Sequence, residues 1–128
     1  MVREDGGLAT LETTLMITIL VPLLFAVIEF GDVFQRWLAQ ESVTIQVARY
    51  AAELGGDAPE VRALFADSLR QSGIDPSYST LEVTPARVGW REPLRVEART
   101  TATIAIPFLF NATVPLRTTA VVRGELAR

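Results

Sequence analysis

The sequence predicts an α+β protein: a long N-terminal transmembrane helix that continues into a small head, with a second short helix and a three- to four-stranded antiparallel sheet. Three observations lead to this prediction. Residues 8–28 are apolar with one charged residue, residues 32–54 are amphipathic at helical spacing, and residues 81–122 alternate apolar and polar side chains. The chain has 128 residues, enough for one domain and an anchor.

The apolar run predicts a helix that spans a membrane. Its 21 residues would extend about 31 Å as an α-helix, which matches a hydrocarbon core of about 30 Å. The acidic segment before it and the lack of a small-residue cleavage site after it argue against a secretory signal peptide. The rest of the chain is too small to enclose so apolar a helix. Pro22 cannot donate to the Thr18 carbonyl, so we expect a kink there, as a hinge or as a tolerated bend.

Beyond residue 30 the same helix becomes amphipathic, and we expect this half to cover the sheet. Gly55-Gly56 predicts where it ends. Polar residues that include Gln40 are expected on the wet face. Two neighbouring apolar stripes, at helical spacing, are expected to pack: Phe34, Leu38, Ile45, Ala48 and Ala52, and beside them Val43, Val47, Tyr50 and Leu54.

A second helix and the strands follow. Asp57 and Glu60 have capping-box spacing, Pro59 suits a first helical turn, and Gly73 predicts the helix end. The segment Pro107–Phe110 is an apolar tip between two strands, either available to a partner or the membrane surface, or folded under the head. Alternation at a spacing of two predicts strands whose inward residues are Leu81 and Val83; Leu94, Val96, Ala98, Thr100, Ala102, Ile104 and Ile106; and Val114, Leu116, Thr118, Ala120 and Val122.

The composition argues against several functions. The chain contains neither cysteine nor histidine, which removes disulfides, thiolate nucleophiles, histidine-based triads and nearly every zinc site. The net charge of −3, without a clustered basic face, argues against nucleic acid as a partner. No serine or threonine has a base at motif spacing. We therefore expect no enzymatic activity, no cofactor and no metal site.

Glu12 is the one acid inside the apolar run, and it needs an explanation. At the centre of a bilayer a charged residue costs about 2.5–3.5 kcal/mol, although the helix dipole lowers that cost near the helix start. A carboxylate that snorkels to the interface is one interpretation. In the other, the chain is cut after Gly7. The new amino group of Leu8 then pairs with Glu12 of a neighbouring subunit, which neutralises both charges and sets the register of assembly.

This arrangement resembles the class III signal of type IV pilins and pseudopilins, a glycine followed by an apolar helix with glutamate at its fifth position. Pro22 within the apolar helix, followed by the motif Ile28-Glu29-Phe30-Gly31, is similar to the TadE family of minor pseudopilins. Ala48–Ala52 and Ile106–Phe108 are also similar to that family. The likeness is closest over residues 6–54. Two features depart from it: the leader contains Glu4 and Asp5, and Leu8 stands where pilins usually have phenylalanine.

The resemblance implies a leader at 1–7, a transmembrane segment at 8–30 and an extracytoplasmic head at 31–128. It implies a single-pass protein of the bacterial cytoplasmic membrane, with its N-terminus in the cytoplasm, in a tight-adherence (Flp-type) pilus system. A prepilin peptidase would cut between Gly7 and Leu8. The implied partners are the lipid bilayer, other pilin or pseudopilin subunits and the inner-membrane assembly platform.

Glu29 lies at the far end of the apolar run, where an acid costs little. We interpret it as interfacial, and a role specific to the family is the alternative. The competing function is an unprocessed single-pass membrane adaptor, in which Glu12 pairs with a helix of another protein.

Overall fold

A computed structural model describes residues 4–126. It contains helices α1 (Glu4–Leu54) and α2 (Pro59–Gln71), and strands β1 (Ser79–Thr84), β2 (Pro93–Ile106) and β3 (Phe110–Arg123). The strands form one antiparallel sheet in the order β1-β2-β3. The predicted α+β architecture is confirmed: a long N-terminal apolar helix, a second short helix and a three-stranded antiparallel sheet.

Helix α1 has 51 residues and extends about 77 Å at 1.5 Å per residue. It begins at Glu4 and therefore includes the two glycines that precede Leu8. Met1–Arg3, the first part of the predicted leader, lie outside the described residues. The first half of α1 projects from the head, and the second half forms part of it.

The core of the head lies between the second half of α1, helix α2 and the inward face of the sheet. The residues predicted to point inward on β2 are all buried, because alternation along a strand sends every second side chain to the same face. The larger buried apolar side chains of the core are Val43 and Val47 of α1, Val61, Phe65 and Leu69 of α2, and Val83, Leu94 and Val96 of the sheet.

The face of α1 that packs on the sheet matches the predicted stripes only in part: Val43, Val47, Ala48 and Ala52 are buried as predicted. Phe34, Leu38, Ile45 and Leu54 are exposed, and Gln40, expected in water, is fully buried. Small side chains let a helix approach a sheet closely, whereas a face of Phe and Leu holds the two apart. The buried residues of α1 from position 43 onward are Val43, Thr44, Val47, Ala48, Ala51 and Ala52.

The end of α1 confirms the predicted glycine cap. Gly55 and Gly56 have φ of 80° and 133°, conformations that favour glycine. A Cβ at Gly56 would overlap the Ala86 carbonyl. The Gly56 N–H donates to Ala51 (2.8 Å) and the Asp57 N–H donates to Ala86 (2.8 Å), so the chain turns closely against the loop before β2.

The start of α2 differs from the predicted capping box. Ala58 is the N-cap and provides no side-chain hydrogen bond. Asp57 instead accepts from Arg62 through both carboxylate oxygens, at 2.6 and 3.1 Å. Pro59 does occupy the first turn, as predicted. Gly73, with φ of 77°, follows the helix end as predicted.

Strands β2 and β3, each of 14 residues, form a hairpin. From its open end to its tip, the hairpin runs from the C-terminal end of α1 towards the N-terminal end. At the open end of the hairpin, the Glu125 N–H donates to Ala52 near the end of α1. Farther along, Ala98 accepts a hydrogen bond from Gln40, twelve residues earlier in the helix. The tip of the hairpin therefore points towards the N-terminal half of α1.

Candidate assembly site on the exposed half of the long helix

The N-terminal part of α1, from Leu8 to Val21, has no cover within the described part of the chain. Every side chain from Leu8 to Val21 is exposed, and Leu8 itself is 73% exposed. This helix is long and apolar enough to cross a membrane, and its most apolar window is not buried at all. Because water would be a poor solvent for such a surface, the described residues do not supply the environment that would stabilise it.

The hydroxyl groups of this segment are all satisfied inside the helix. Each of the four threonines donates to the carbonyl of the residue four positions earlier, so none depends on water. This is what a helix in a hydrocarbon environment requires of its polar groups. The bonds are Thr10 to Gly6 (2.8 Å), Thr13 to Ala9 (2.9 Å), Thr14 to Thr10 (2.9 Å) and Thr18 to Thr14 (2.7 Å).

Glu12 is the polar side chain of this segment that forms no hydrogen bond within its own helix. Within residues 4–126 its exposed carboxylate has no hydrogen bond and no ion pair. Acids farther along the chain do find partners, for example Asp32 with Arg36 at 2.8 Å. Leu8 and Glu12 are four residues apart, so they lie on the same face of α1, about 6 Å apart along its axis.

The predicted cleavage junction lies within the first turns of α1. A Cβ at either Gly6 or Gly7 would meet nothing within 4 Å. Each glycine lowers helix stability by about 1 kcal/mol relative to alanine, and helix ends fray readily. The junction therefore combines free access with a low cost of unwinding, both of which a peptidase needs.

The other predicted residues lie farther along the helix. Pro22 is in α1 and half-buried, and the nearby Thr18 hydroxyl donates to Thr14, one turn earlier. Ile28 and Phe30 are exposed and Glu29 is half-buried. Seventeen residues separate Glu12 from Glu29, about 26 Å along the axis. The structure thus brings Gly7, Leu8 and Glu12 together, and leaves Pro22 and residues 28–31 apart from them.

Sequence reasoning missed Gln40, which fastens α1 to the sheet. Its Nε2 donates to Ala98 (3.0 Å), to Leu116 (3.2 Å) and to the Thr118 hydroxyl (3.1 Å), so one amide joins β2 and β3. Thr44, one turn later, lies 2.7 Å from the same hydroxyl. The Gln40 Oε1 is buried without a partner among the described residues. No local pattern distinguishes this glutamine from its exposed neighbours.

A charged cluster on the outer face of the sheet was also not foreseen. Glu97 accepts from Arg117 (2.7 Å) and from Arg99, with Arg95 at 3.5 Å. These hydrogen bonds, that from Arg117 first and that from Arg99 second, hold the pKa of Glu97 below its usual range. The alternation Arg95-Val-Glu97-Ala-Arg99 indicates one shared face, but Arg117 joins it only through the register of β2 with β3.

In the part of the chain that the structure describes, no three acidic side chains converge on a possible metal site. A shallow groove lies between α1 and α2, lined by both charged and apolar side chains, including Arg49, Glu60 and Leu64. No protein-family model, curated protein or solved structure matches this chain.

Proposed function

We propose that this protein is a TadE-like pseudopilin or minor pilin of a bacterial tight-adherence pilus system. It is anchored in the membrane by the first half of α1, cleaved after Gly7, and assembled through that helix. The observation that carries the proposal is the exposed Glu12, which has no partner among residues 4–126, on an apolar helix whose hydroxyl groups are satisfied internally. One residue needs a partner from another molecule, and the processed N-terminus supplies one.

The pairing has a physical basis. Cleavage after Gly7 creates a positive amino group on Leu8, one helical turn before Glu12 and on the same face. An unpaired ion in a low-dielectric environment costs several kcal/mol, and a paired one much less. Two neighbouring helices offset by about one turn can bring the amine of one to the carboxylate of the other. Assembly then removes two unpaired charges at once, and a wrong offset restores both.

The proposed membrane span rests on the same helix, and the proposed orientation rests on the resemblance to pseudopilins. The uncharged surface after Glu12 continues to residue 28, and the exposed Asp32–Arg36 pair lies beyond it. We place residues 8–30 in the bilayer, with the head on the extracytoplasmic side and the junction accessible to a prepilin peptidase in the cytoplasm. The inner-membrane assembly platform and neighbouring pilin subunits are the partners of this proposal.

Co-expression with a type IV prepilin peptidase tests the processing step. Intact-mass analysis of the membrane protein should show loss of residues 1–7 and a new N-terminus at Leu8. Gly7→Leu should leave the full-length chain. Gly31→Leu is the matched control: both glycines lie in α1, and a Cβ at either meets nothing, so both variants keep the fold. Full-length protein in the wild type would favour the membrane adaptor.

The assembly step is tested by Glu12→Gln, with Glu29→Gln as the matched acid on the same helix. Two differently tagged copies are expressed with the peptidase, and co-purification is measured. Loss of the ion pair should reduce co-purification about tenfold or more, because each 1.4 kcal/mol is a factor of ten. Cleavage should be unchanged. Undiminished co-purification of Glu12→Gln would contradict the pairing between subunits.

A further inference from the structure

The β2–β3 hairpin divides into a charged half and an uncharged half. From Thr100 to Leu116, through the tip, the chain has no Asp, Glu, Lys or Arg in 17 consecutive residues. The outward-facing positions of this half carry Thr, Ala, Asn and Pro, although a strand facing water usually carries charge. The ionisable residues of β2 and β3 all belong to the half near the open end: Arg95, Glu97, Arg99, Arg117 and Arg123.

The tip itself presents large apolar side chains to its surroundings. Phe108 is 98% exposed, and Leu109 and Phe110 are 62% and 51% exposed. Phe108 also has φ of 65°, a conformation uncommon for a bulky aromatic residue and usual for glycine or asparagine. An aromatic side chain therefore occupies a strained turn position where it contributes nothing to the packing of the head.

The direction of the hairpin places this tip beside the apolar half of α1. Ala98 is level with Gln40, and Ala102 lines a small cleft together with Arg36, one turn earlier in the helix. From Ala98 to the end of β2 at Ile106 the strand extends about 27 Å at 3.4 Å per residue. From Gln40 back to Phe30 the helix covers only about 15 Å. Even a strongly inclined hairpin passes the end of the apolar segment.

Burial along α1 traces the same path. Among exposed neighbours, a half-buried stripe at helical spacing leads from Pro22 to the buried Gln40. On the facing strand, Ala102, Ile104 and Ile106 are buried although they lie beyond the main core. The hairpin is the element of the described chain that runs this way, so its inward face covers the stripe. The stripe consists of Pro22, Ala26, Glu29, Val33 and Trp37.

We propose that the β2–β3 tip is a second membrane contact, with Phe108, Leu109 and Phe110 inserted into the leaflet nearest the head, beside α1. The inference rests on the membrane anchoring of α1 proposed above. The stripe ends at Pro22–Ala26, about 6–12 Å inside the boundary at Phe30, so the tip reaches the apolar part of that leaflet, where Phe and Leu side chains insert favourably.

The backbone of the tip suits this location. The β2–β3 ladder continues to the Ile106–Phe110 pair, and the Leu109 N–H donates to Ile106 at 3.2 Å. The N–H and C=O groups that β2 and β3 turn towards each other therefore enter the membrane already paired, which lowers the cost that hydrocarbon places on polar backbone groups. Two contacts on different elements would also fix the rotation of the head about α1, and so fix which face points towards the membrane.

Site-directed spin labelling tests the inference directly, because the chain has no cysteine. Phe108→Cys carries the label at the tip. Val121→Cys is the matched control, an exposed apolar position on β3 in the charged half. Leu20→Cys reports on α1 itself. The full chain is placed in vesicles of phosphatidylethanolamine and phosphatidylglycerol. Collision of each label with lipid-soluble oxygen and with a water-soluble nickel chelate is then measured.

Each outcome decides a separate point. Labels 20 and 108 should favour oxygen, and label 121 should favour the nickel chelate. If 20 favours oxygen but 108 behaves like 121, the tip is in water: the inference fails and the anchoring stands. Shielding of 108 from both reagents would indicate a protein contact, which also overturns the inference. If 20 itself favours the nickel chelate, the anchoring fails, and the inference fails with it.

Discussion

The two halves of α1 have the same secondary structure and opposite relations to the rest of the chain. From Leu8 to Val21 every side chain is exposed and none is covered by the described part of the chain, whereas from Ala39 to Leu54 one face packs against the sheet. Their polar residues differ correspondingly. Thr18 donates to its own helix, whereas Gln40 donates to two strands. The two halves therefore differ in their surroundings and not in their secondary structure.

The difference shows how one helix can serve two environments. In the head, apolar side chains gain stability from the chain itself, so their substitution should change the free energy of unfolding. In the exposed half the described residues provide no such gain. In the proposed function it comes from lipid or another subunit, so substitution should affect insertion or assembly and leave the head stable. The following substitutions test that separation.

The largest expected effect comes from a pair of valines in the same helix. Val47 is fully buried and Val27 is 65% exposed. Val47→Ala should lower the free energy of unfolding of the head by about 2–3 kcal/mol, from the two lost methyl groups and the cavity left behind. Val27→Ala should change it by less than about 0.5 kcal/mol. Amide hydrogen exchange of β2 and β3, measured on the full chain in detergent, reports both values.

Equal effects of the two valine substitutions would contradict the separation of α1 into two environments. A large loss with Val27→Ala alone would mean that the exposed half packs on the head more than its exposure indicates. The protection of the α1 amides between Leu8 and Val21 serves as the internal control, since both variants should leave it unchanged.

The sequence predicts the elements of this fold better than it predicts which face of α1 is buried. Apolar residues repeat about every 3.6 residues in a helix and every second residue in a strand, and this change in the repeat identifies the elements. The predicted inward positions of β2 are confirmed without exception. Helix α1 has several apolar stripes, and spacing alone does not decide between them. The sheet packs on the face of α1 that carries small residues, because these let the helix and the sheet approach each other closely. Ala48 and Ala51 are therefore buried, and Phe34 remains exposed.

Gln40 provides the next test of the comparison. Gln40→Leu removes three hydrogen bonds to β2, β3 and Thr118, and also removes the unpaired Oε1. The two changes oppose each other, so we expect a loss of about 1–2 kcal/mol. Thr18→Val removes a hydroxyl that bonds only to its own helix, and it should leave the head unaffected. Hydrogen exchange of the amides around Ala98 and Leu116 measures the difference.

The Gln40 result also bears on the register of the hairpin. If Gln40→Leu is as stable as the wild type, packing alone holds the helix on the sheet. A loss well above 2 kcal/mol would mean that the amide also excludes alternative placements of β2 along α1.

A smaller effect is expected from Glu97, whose partners lie within the head. Its pKa is lowered, so its contribution to stability is present above the ordinary glutamate pKa of about 4.3 and is lost as pH falls through the folded-state pKa. Glu97→Gln should therefore flatten the decline of stability below that pH. Glu82→Gln, at the facing position on β1, is the control and should leave the decline intact. Urea unfolding at neutral and acidic pH measures both slopes.

Glu97 and Glu12 also show why the candidate site was only partly predictable. An acid in a strand reveals its partners once the register is known, and the register depends on contacts between distant residues. The exposure of Glu12 follows directly from its position in an apolar run, because nothing in a chain of this size can cover that run. In the function proposed above, its partner belongs to another molecule, which no single sequence contains.

The smallest expected change in stability is at Phe108, and it decides to which half of the comparison the hairpin tip belongs. Phe108→Asn removes an aromatic ring that is 98% exposed and keeps a residue type that tolerates φ of 65°. If the tip resembles the exposed half of α1, the free energy of unfolding should change by less than about 0.5 kcal/mol. A loss of 1 kcal/mol or more in the same hydrogen-exchange measurement would mean that the ring packs on the head, which would group the tip with Val47 rather than with Val27. Unchanged stability would mean that the exposed aromatic ring does not stabilise the fold of the head. That is the result expected if the ring instead contacts the membrane proposed to surround the first half of α1.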